Sequence, residues 1–465
     1  MTTAHAPSSR TTPSAGRDRG AVAAAAVRTR NTVASRVHWA LEHGIARMVV
    51  GRAAAKGDLQ AKMIGLGGEE ASVAMDLIEQ IRERGPLYRS SIGQVAVGHA
   101  VVRQVLTSDD FRTGFPTAAG WLGQVSDWAS PPWISPVEPP SLLMSEPPEH
   151  TRYRKLVMRV FTVRAVQRLK ERAEEMATEL LDELEASGAD ATDIVEAYCA
   201  QLPVRMIGEI LGVPEADLPM VLAYGEGAAP SLDLGLDWDR YRWVQDSLHR
   251  FDSWLGAHLE RLRREPGDDL LSELVAARED GVGLDEHELK ATAGLVLVAG
   301  FETTVNLLSN GIALLSEHRD QLAGLLAEPA GWGNAVEEVL RFDPPVLLTG
   351  RMTQRETELA GVRLKPGTMV GTILAGANRD PEVFEDPHRF DVTRPNAREH
   401  VSFSAGRHHC LGAALARMEG EVGLRLLFER FPDLVVRPGG TRRETRILRG
   451  WETLPVQLRP AAAPL

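Results

Sequence analysis

The sequence predicts a mainly α-helical protein with a smaller β portion, and three observations carry that expectation. Apolar residues recur at helical spacing through most of the first three quarters of the chain. One segment, residues 285–317, is long and apolar and contains no proline. Beyond Arg341 the texture changes: Pro344, Pro345, Gly350, Gly361, Pro366, Gly367 and Pro381 punctuate short β-branched runs such as residues 369–374.

Taken in order, residues 1–36 form an Ala-, Ser-, Thr- and Arg-rich stretch, read as a disordered tail. Residues 37–50 and 69–84 have amphipathic helical spacing, and a strand-like pair follows at 87–91 and 94–97. Residues 115–143 are rich in Gly, Pro and Trp and show little periodicity. A loop of that length inside a compact domain is usually functional or disordered, and the aromatic content favours the former. Residues 164–187 and 194–212 read as helices, each closed near a glycine, and residues 241–264 as another, stopped by Pro266-Gly267. Asp285 and Glu288 have capping-box spacing and open the long helix. A final helix is expected over residues 411–428. With no internal repeat or linker, residues 37–465 read as one domain.

The chain has 465 residues and a formal net charge of −12, which argues against nucleic acid or an anionic membrane as the principal partner. The apolar segment 291–315 carries Glu302, Thr303, Thr304, Asn306 and Asn310, groups that are costly in hydrocarbon, so no stable membrane anchor is expected. Arg17 and Arg19 precede the apolar run 21–27 in the manner of a signal peptide, but Arg28 and Arg30 cut it short and no convincing cleavage site follows. Only two cysteines are present, Cys199 and Cys410, without metal-binding spacing, which suits a reducing cytoplasm. Cys199 lies among apolar neighbours and reads as a buried, inert thiol.

Cys410 is different. It stands at the entry to the last helix, where unpaired amides favour a thiolate. Gly406 and Gly412 would let backbone approach something large and flat, and Arg407 and His408 supply donors for a carboxylate. The segment Phe403, Gly406, Cys410, Gly412 resembles the FxxGxxxCxG haem-binding signature of the cytochrome P-450 superfamily, with Ser404 where the family commonly has Gly. The resemblance implies the cytochrome P-450 fold (a triangular prism), with haem b between the long central helix and the cysteine loop and last helix. Cys410 is then the axial iron ligand, and Phe403, Gly406, His408 and Gly412 belong to the haem site.

Further segments match in order from about residue 75 to the C-terminus. Glu338 and Arg341 are similar to the family's ExxR pair, whose buried network a downstream arginine completes; Arg389 is expected in that role. The run 299–304 resembles the family's oxygen-binding groove. By that resemblance Ala299 lies against the haem, Thr303 hydrogen-bonds the oxygen being activated, and Glu302 relays the protons that O–O cleavage consumes. His150 and Arg154 lie one helical turn apart and match the family's propionate-holding segment, with Glu146 before the prolines in place of the usual Asp; Arg351 is a further propionate partner. The segments 377–381 and 400–402 are similar to structural connections of the family.

The implied activity is monooxygenation, one atom of O2 entering a hydrophobic small molecule by hydroxylation or epoxidation. No flavin or nicotinamide module is visible, so electrons are expected from a ferredoxin and its reductase. Arg407, His409, Arg152 and Lys155 are the expected docking patch for that acidic partner. Residues 115–143, 215–240, the groove beside Phe301 and the turn 346–348 are expected around the substrate. Two other readings compete: a peroxide-using or isomerising haem-thiolate enzyme, and a haem-based binding or sensor protein. The Glu302-Thr303 pair disfavours the first, since such chemistry needs a proton relay less. The lack of an output module disfavours the second.

Overall fold

The long helix Glu286–Glu317 organises the structure, and its sequence explains why it forms. Asp285 accepts from the Glu288 amide while Glu288 reaches back to the Asp285 amide, completing the capping box. The helix is long and apolar enough to cross a membrane, but 72% of its most apolar stretch is buried inside the protein, as befits a core helix. The structure, a computed structural model, describes residues 32–66, 71–114, 120–160, 163–278 and 281–458.

Around this axis pack Val163–Ala186, Gln201–Leu211, Leu218–Ala228, Trp238–Arg264, Trp332–Phe342 and the last helix Ala413–Arg430. Their buried Leu, Ile, Val and Phe residues form one continuous apolar cluster that includes Leu297, Phe301, Val305 and Leu308 of the long helix. Glycines permit the closest approaches: a Cβ at Gly311 would press on Leu424, and one at Gly423 on Leu308, at 2.7 Å each.

The strands are short: β1 (Leu87–Ser90), β2 (Gly93–Ala96), β3 (Phe111–Arg112), β4 (Ala191–Asp193), β5 (Leu348–Thr353), β6 (Thr357–Leu359), β7 (Val362–Leu364) and β8 (Met369–Ile373). Near the C-terminus lie β9 (Val435–Val436), β10 (Thr441–Arg442), β11 (Trp451–Thr453) and β12 (Pro455–Gln457). The main sheet runs β1-β2-β8-β5-β3, antiparallel except for the β2–β8 pair. It holds Arg351 opposite Val370. The hairpin β10–β11 leans on the long helix, and Gly450 is what lets it: a Cβ there would overlap the Asn306 side chain.

Several expectations need correction. Residues 32–36, assigned to the tail, are helical and open a helix that runs to Ala55 through a π-helical turn at Ala40–Gly44; residues 1–31 lie outside the described residues. The loop expected over 115–143 contains the helix Trp121–Ala129, too short for its periodicity to stand out among prolines and glycines; residues 115–119 lie outside the described residues. The last helix starts at Ala413, with Gly412 as its N-cap. Cys410 therefore lies three residues before the helix instead of immediately before it, as the expected start at residue 411 had it.

Candidate functional site

The cysteine loop is fixed from three directions. The Cys410 amide donates to the Phe403 carbonyl at 2.8 Å, and Arg417 of the last helix lies over the Phe403 ring at 4.4 Å. Gly406, at φ +68°, lies against another helix: a Cβ there would come within 2.5 Å of the Leu106 carbonyl. The sequence reading assigned Gly406 to close approach by a flat group. In the structure, its glycine is required by helix His99–Thr107. Ser404 has φ +59°, the left-handed region, which accounts for the glycine common at that position in the family. Gly412 has open space on its Cβ side.

The Cys410 side chain is solvent-accessible although protein encloses it on most sides, so it faces an internal space. Burial raises its pKa, and the Gly412 amide, Arg154 and Arg417 act against that rise without reversing it. The helix entry expected to favour the thiolate thus supplies one amide, from Gly412. Cys199 is buried and its pKa is raised by burial, as a structural thiol's should be.

Three basic groups gather beside this loop without adequate anionic partners among the described residues. Arg154 donates to the His409 carbonyl at 2.9 Å. His150 is buried, its Nε2 has no hydrogen-bond partner, and its ring lies 4.5 Å from that of His408. Burial, then His408 and Arg154, push its pKa down to about 4, so the ring is neutral. Arg351 is buried and donates to the Thr349 hydroxyl and the Gly350 carbonyl. Among the described residues it has no carboxylate partner, and burial lowers its pKa to about 10. A buried guanidinium and an orphaned imidazole nitrogen call for an anion with several oxygens.

His408 and Arg407 are already engaged. Glu146 accepts from Arg407 at 2.8 Å, faces His408 Nε2 at 3.3 Å and accepts from the Thr113 amide at 2.6 Å. Burial would raise the Glu146 pKa, but the His408, Thr113 and Arg407 hydrogen bonds hold it at about 2. Arg407 also pairs with Asp109, and Arg152 with Glu288. Both arginines of the docking patch expected from the sequence, Arg407 and Arg152, are therefore paired with carboxylates of the same chain.

On the long helix, Ala299 is the one exposed residue between Leu289 and Leu315, and Thr303, one turn on, is half-buried. Both turn toward accessible space, and the Thr303 hydroxyl donates to the Ala299 carbonyl at 2.6 Å. Phe301, beside which a substrate groove was expected, is buried against Gly225. Glu302 turns away from Thr303, as consecutive helical residues must. It is 1% exposed, and its Oε1 lies 2.6 Å from Arg443 Nε without hydrogen-bond alignment. Burial raises its pKa to about 7; Arg443 opposes the rise, while Glu452 and Glu226 add to it.

The Glu338–Arg341 pair is fully buried and bidentate, at 2.7 and 2.8 Å. The arginine that completes it is Arg394, with Nε 3.3 Å from Glu338, and not Arg389. The Arg389 side chain is 67% exposed and near Asp391, and only its carbonyl joins the network, accepting from Arg341 and Arg394. Next door, Glu337 binds His400, Arg417 and Arg398 at 2.9–3.0 Å. Burial would raise its pKa, but the His400 and Arg417 hydrogen bonds bring it to about 2. Asn378 bonds Ser402 at 2.7 Å and the Val401 amide at 2.8 Å, joining the two segments read as structural connections. Arg394, Arg443 and Glu337 were missed by the sequence reading. A surface groove of about 1340 Å³, lined by charged residues such as Glu175, Glu179 and Arg205, touches the segment expected around the substrate through Glu215, Leu218, Pro219 and Leu222 and contains none of the residues expected at the haem.

Comparison with known proteins agrees with this geometry. The family model for cytochrome P450 matches residues 333–447. A Mycobacterium tuberculosis protein assigned to cytochrome P450 140 is 50% identical over 437 residues, covering 92% of this chain and 98% of that protein. The 6-deoxyerythronolide B hydroxylase of Saccharopolyspora erythraea is 43% identical over 319 residues, 68% of this chain and 77% of the enzyme. Among solved structures, the open form of EryK from S. erythraea superposes with a TM-score of 0.75 at 32% identity, covering 85% of this chain and 99% of that one.

Proposed function

The chain belongs to the cytochrome P450 superfamily, a haem b-binding monooxygenase family, and from that premise we propose the part each residue plays. The observation that carries the assignment is the conjunction at the cysteine loop: Cys410 facing an internal space, with Arg351 and His150 buried beside it in want of an anion. Haem b, when bound, supplies reductive activation of O2, one oxygen atom passing to the substrate and the other to water.

Cys410 ligates the iron. Arg351, His150 and Arg154 would hold the propionates, His408 being taken up by Glu146, while Ala299, Phe403 and Gly412 would border the macrocycle. Thr303, already half-turned into the accessible space, orients the oxygen side of the site through its hydroxyl. Glu302 holds a proton near neutral pH, and Arg443 governs how readily that proton leaves. Glu338, Arg341 and Arg394 hold the chain on the cysteine side.

The substrate is a hydrophobic small molecule. Support comes from relatives named 6-deoxyerythronolide B hydroxylase and vitamin D(3) 25-hydroxylase, the latter 41% identical over 329 residues. A ferredoxin with its reductase supplies the electrons. The protein is cytoplasmic, and the described residues 32–458 act as one domain. Anaerobic reduction under carbon monoxide tests the electron donor without needing the substrate. NADPH, ferredoxin and ferredoxin reductase should together bring up the reduced carbon monoxide absorbance. If dithionite raises that absorbance and the protein partners do not, the ferredoxin assignment is wrong. Turnover of either named compound with peroxide alone, and not with O2 and electrons, would favour a peroxide-using enzyme.

A further inference from the structure

Two buried carboxylates stand side by side on the helix Trp332–Phe342, and they serve different partners. Glu338 grips Arg341 on the same helix, whereas Glu337 reaches the chain around the cysteine loop. Its Oε2 lies 3.0 Å from His400 Nε2, and its Oε1 accepts from Arg417 Nε at 2.9 Å. Both of those side chains flank Phe403. The His400 ring lies 5.8 Å from the Phe403 ring, centroid to centroid, and the Arg417 guanidinium sits over that ring at 4.4 Å. The Phe403 carbonyl in turn accepts from the Cys410 amide at 2.8 Å. One carboxylate thus fixes both flanks of the residue to which Cys410 is tied.

Hydrogen bonding assigns the charges. The Ser402 amide donates to His400 Nδ1 at 3.1 Å, so that nitrogen carries no proton and Nε2 carries the one that Glu337 accepts. His400 is therefore neutral, and its burial agrees by lowering its pKa. Arg398 also meets Glu337, but its side chain is 73% exposed and solvent screens it. Arg417 is two-thirds buried, and Glu337 is fully buried as its counter-charge. Arg417 is also one of two guanidiniums that favour negative charge on Cys410. The other, Arg154, donates to the His409 carbonyl and is assigned above to a propionate.

We propose that Arg417 and Glu337 form a charge pair that sets the reduction potential of the iron held by Cys410. The inference rests on the haem-thiolate reading above. Arg417 is a positioning residue: it holds Phe403 in place and sets a positive charge beside the thiolate, and Glu337 offsets that charge. One electron, from the ferredoxin proposed above, turns ferric iron ferrous and adds one negative charge, with no bond made or broken. A nearby cation favours the reduced form and a nearby anion opposes it. A unit charge about 10 Å away, at an effective dielectric of about 20, shifts such an equilibrium about tenfold. Tenfold corresponds to about 59 mV for one electron.

Anaerobic spectroelectrochemical titration of the haem-loaded protein measures the midpoint potential of wild type and of five variants. Arg417→Gln should lower the potential by about 59 mV, a tenfold loss in the reduction equilibrium, and Glu337→Gln should raise it by a similar amount. The double variant Glu337→Gln/Arg417→Gln removes both charges and should return to within about twofold of wild type. So should Arg417→Lys, which keeps the charge, and Arg398→Gln, the exposed control. The carbon monoxide band of each reduced variant checks that the thiolate stays on the iron. A merely structural role would loosen the loop in both single variants and move both potentials the same way, and that result would overturn the pair. Shifts below about twofold in both single variants, with the band retained, would overturn it too. Where Glu337→Gln does not fold, Arg417→Gln and Arg417→Lys decide alone, and a fall that lysine does not restore refutes the pair. A wild type without the thiolate band would instead refute the haem-thiolate reading, and the charge pair with it.

Discussion

Replacing Arg394 by Ala should cost far more stability than replacing Arg389, although both lie a few residues past the same turn. Glu338 is fully buried, and its oxygens accept from Arg341 at 2.7 and 2.8 Å and from the Asp391 amide at 2.8 Å, with Arg394 Nε 3.3 Å away. Arg394, 6% exposed, also donates to the carbonyls of Glu385, Asp386 and Arg389. Removing one member of a buried pair costs ~3–5 kcal/mol. Here Arg341 remains on the carboxylate, so the lower end applies to the charge. Glu385 then loses its Arg394 donor, which adds roughly 1 kcal/mol. The expectation for Arg394→Ala is about 4 kcal/mol. Arg389→Ala removes an exposed side chain 3.7 Å from Asp391 and keeps the carbonyl, a change worth less than about 0.5 kcal/mol. Urea denaturation of haem-loaded protein measures both, with m-values compared to confirm a common mechanism of unfolding. A loss for Arg389→Ala equal to or above that for Arg394→Ala would refute the assignment of the network.

Other predictions concern single groups. Glu419 is buried and burial raises its pKa to about 8. Its folded form binds a proton that the unfolded chain releases near 4.5, so stability falls as pH rises from about 4.5 to about 8. At pH 7 Glu419→Gln should therefore gain up to about 3 kcal/mol, and a melting curve no better than wild type at that pH would contradict it. Ser404→Gly relieves a left-handed serine and a buried hydroxyl without a partner, and thermal unfolding should show a gain of about 1 kcal/mol. Arg443→Gln removes the cation that lowers the Glu302 pKa, so a pH–rate inflection near 7 should move upward and Arg443→Lys should largely restore it. An inflection unmoved by Arg443→Gln would separate Glu302 from the rate.

What the sequence made legible was contiguous or periodic. The capping box of the long helix, the β1–β2 pair and the run from Phe403 to Gly412 all lie within short stretches, where spacing carries geometry. Burial of Glu338 and Arg341 followed from a family pattern and not from their spacing, because exposed helices carry the same pair. The third member was misplaced because Arg389 and Arg394 both follow the turn, and only the path of that irregular segment decides which side chain points inward. Arg443 was invisible for a different reason. Its reach to Glu302 depends on a hairpin drawn onto the long helix, and Gly450, which allows that approach, looks like any turn glycine. Gly406 was noticed for its place in the motif, yet it is demanded by Leu106, a residue 300 positions earlier in the chain.

The most direct test of the account is the carbon monoxide difference spectrum of the dithionite-reduced protein, taken on wild type and on Cys410→Ala. Thiolate ligation predicts a strongly red-shifted Soret band in wild type that disappears in the variant while the fold persists. A wild-type band at the position of histidine-ligated haem, unaltered by the substitution, would remove Cys410 from the iron and contradict the central claim.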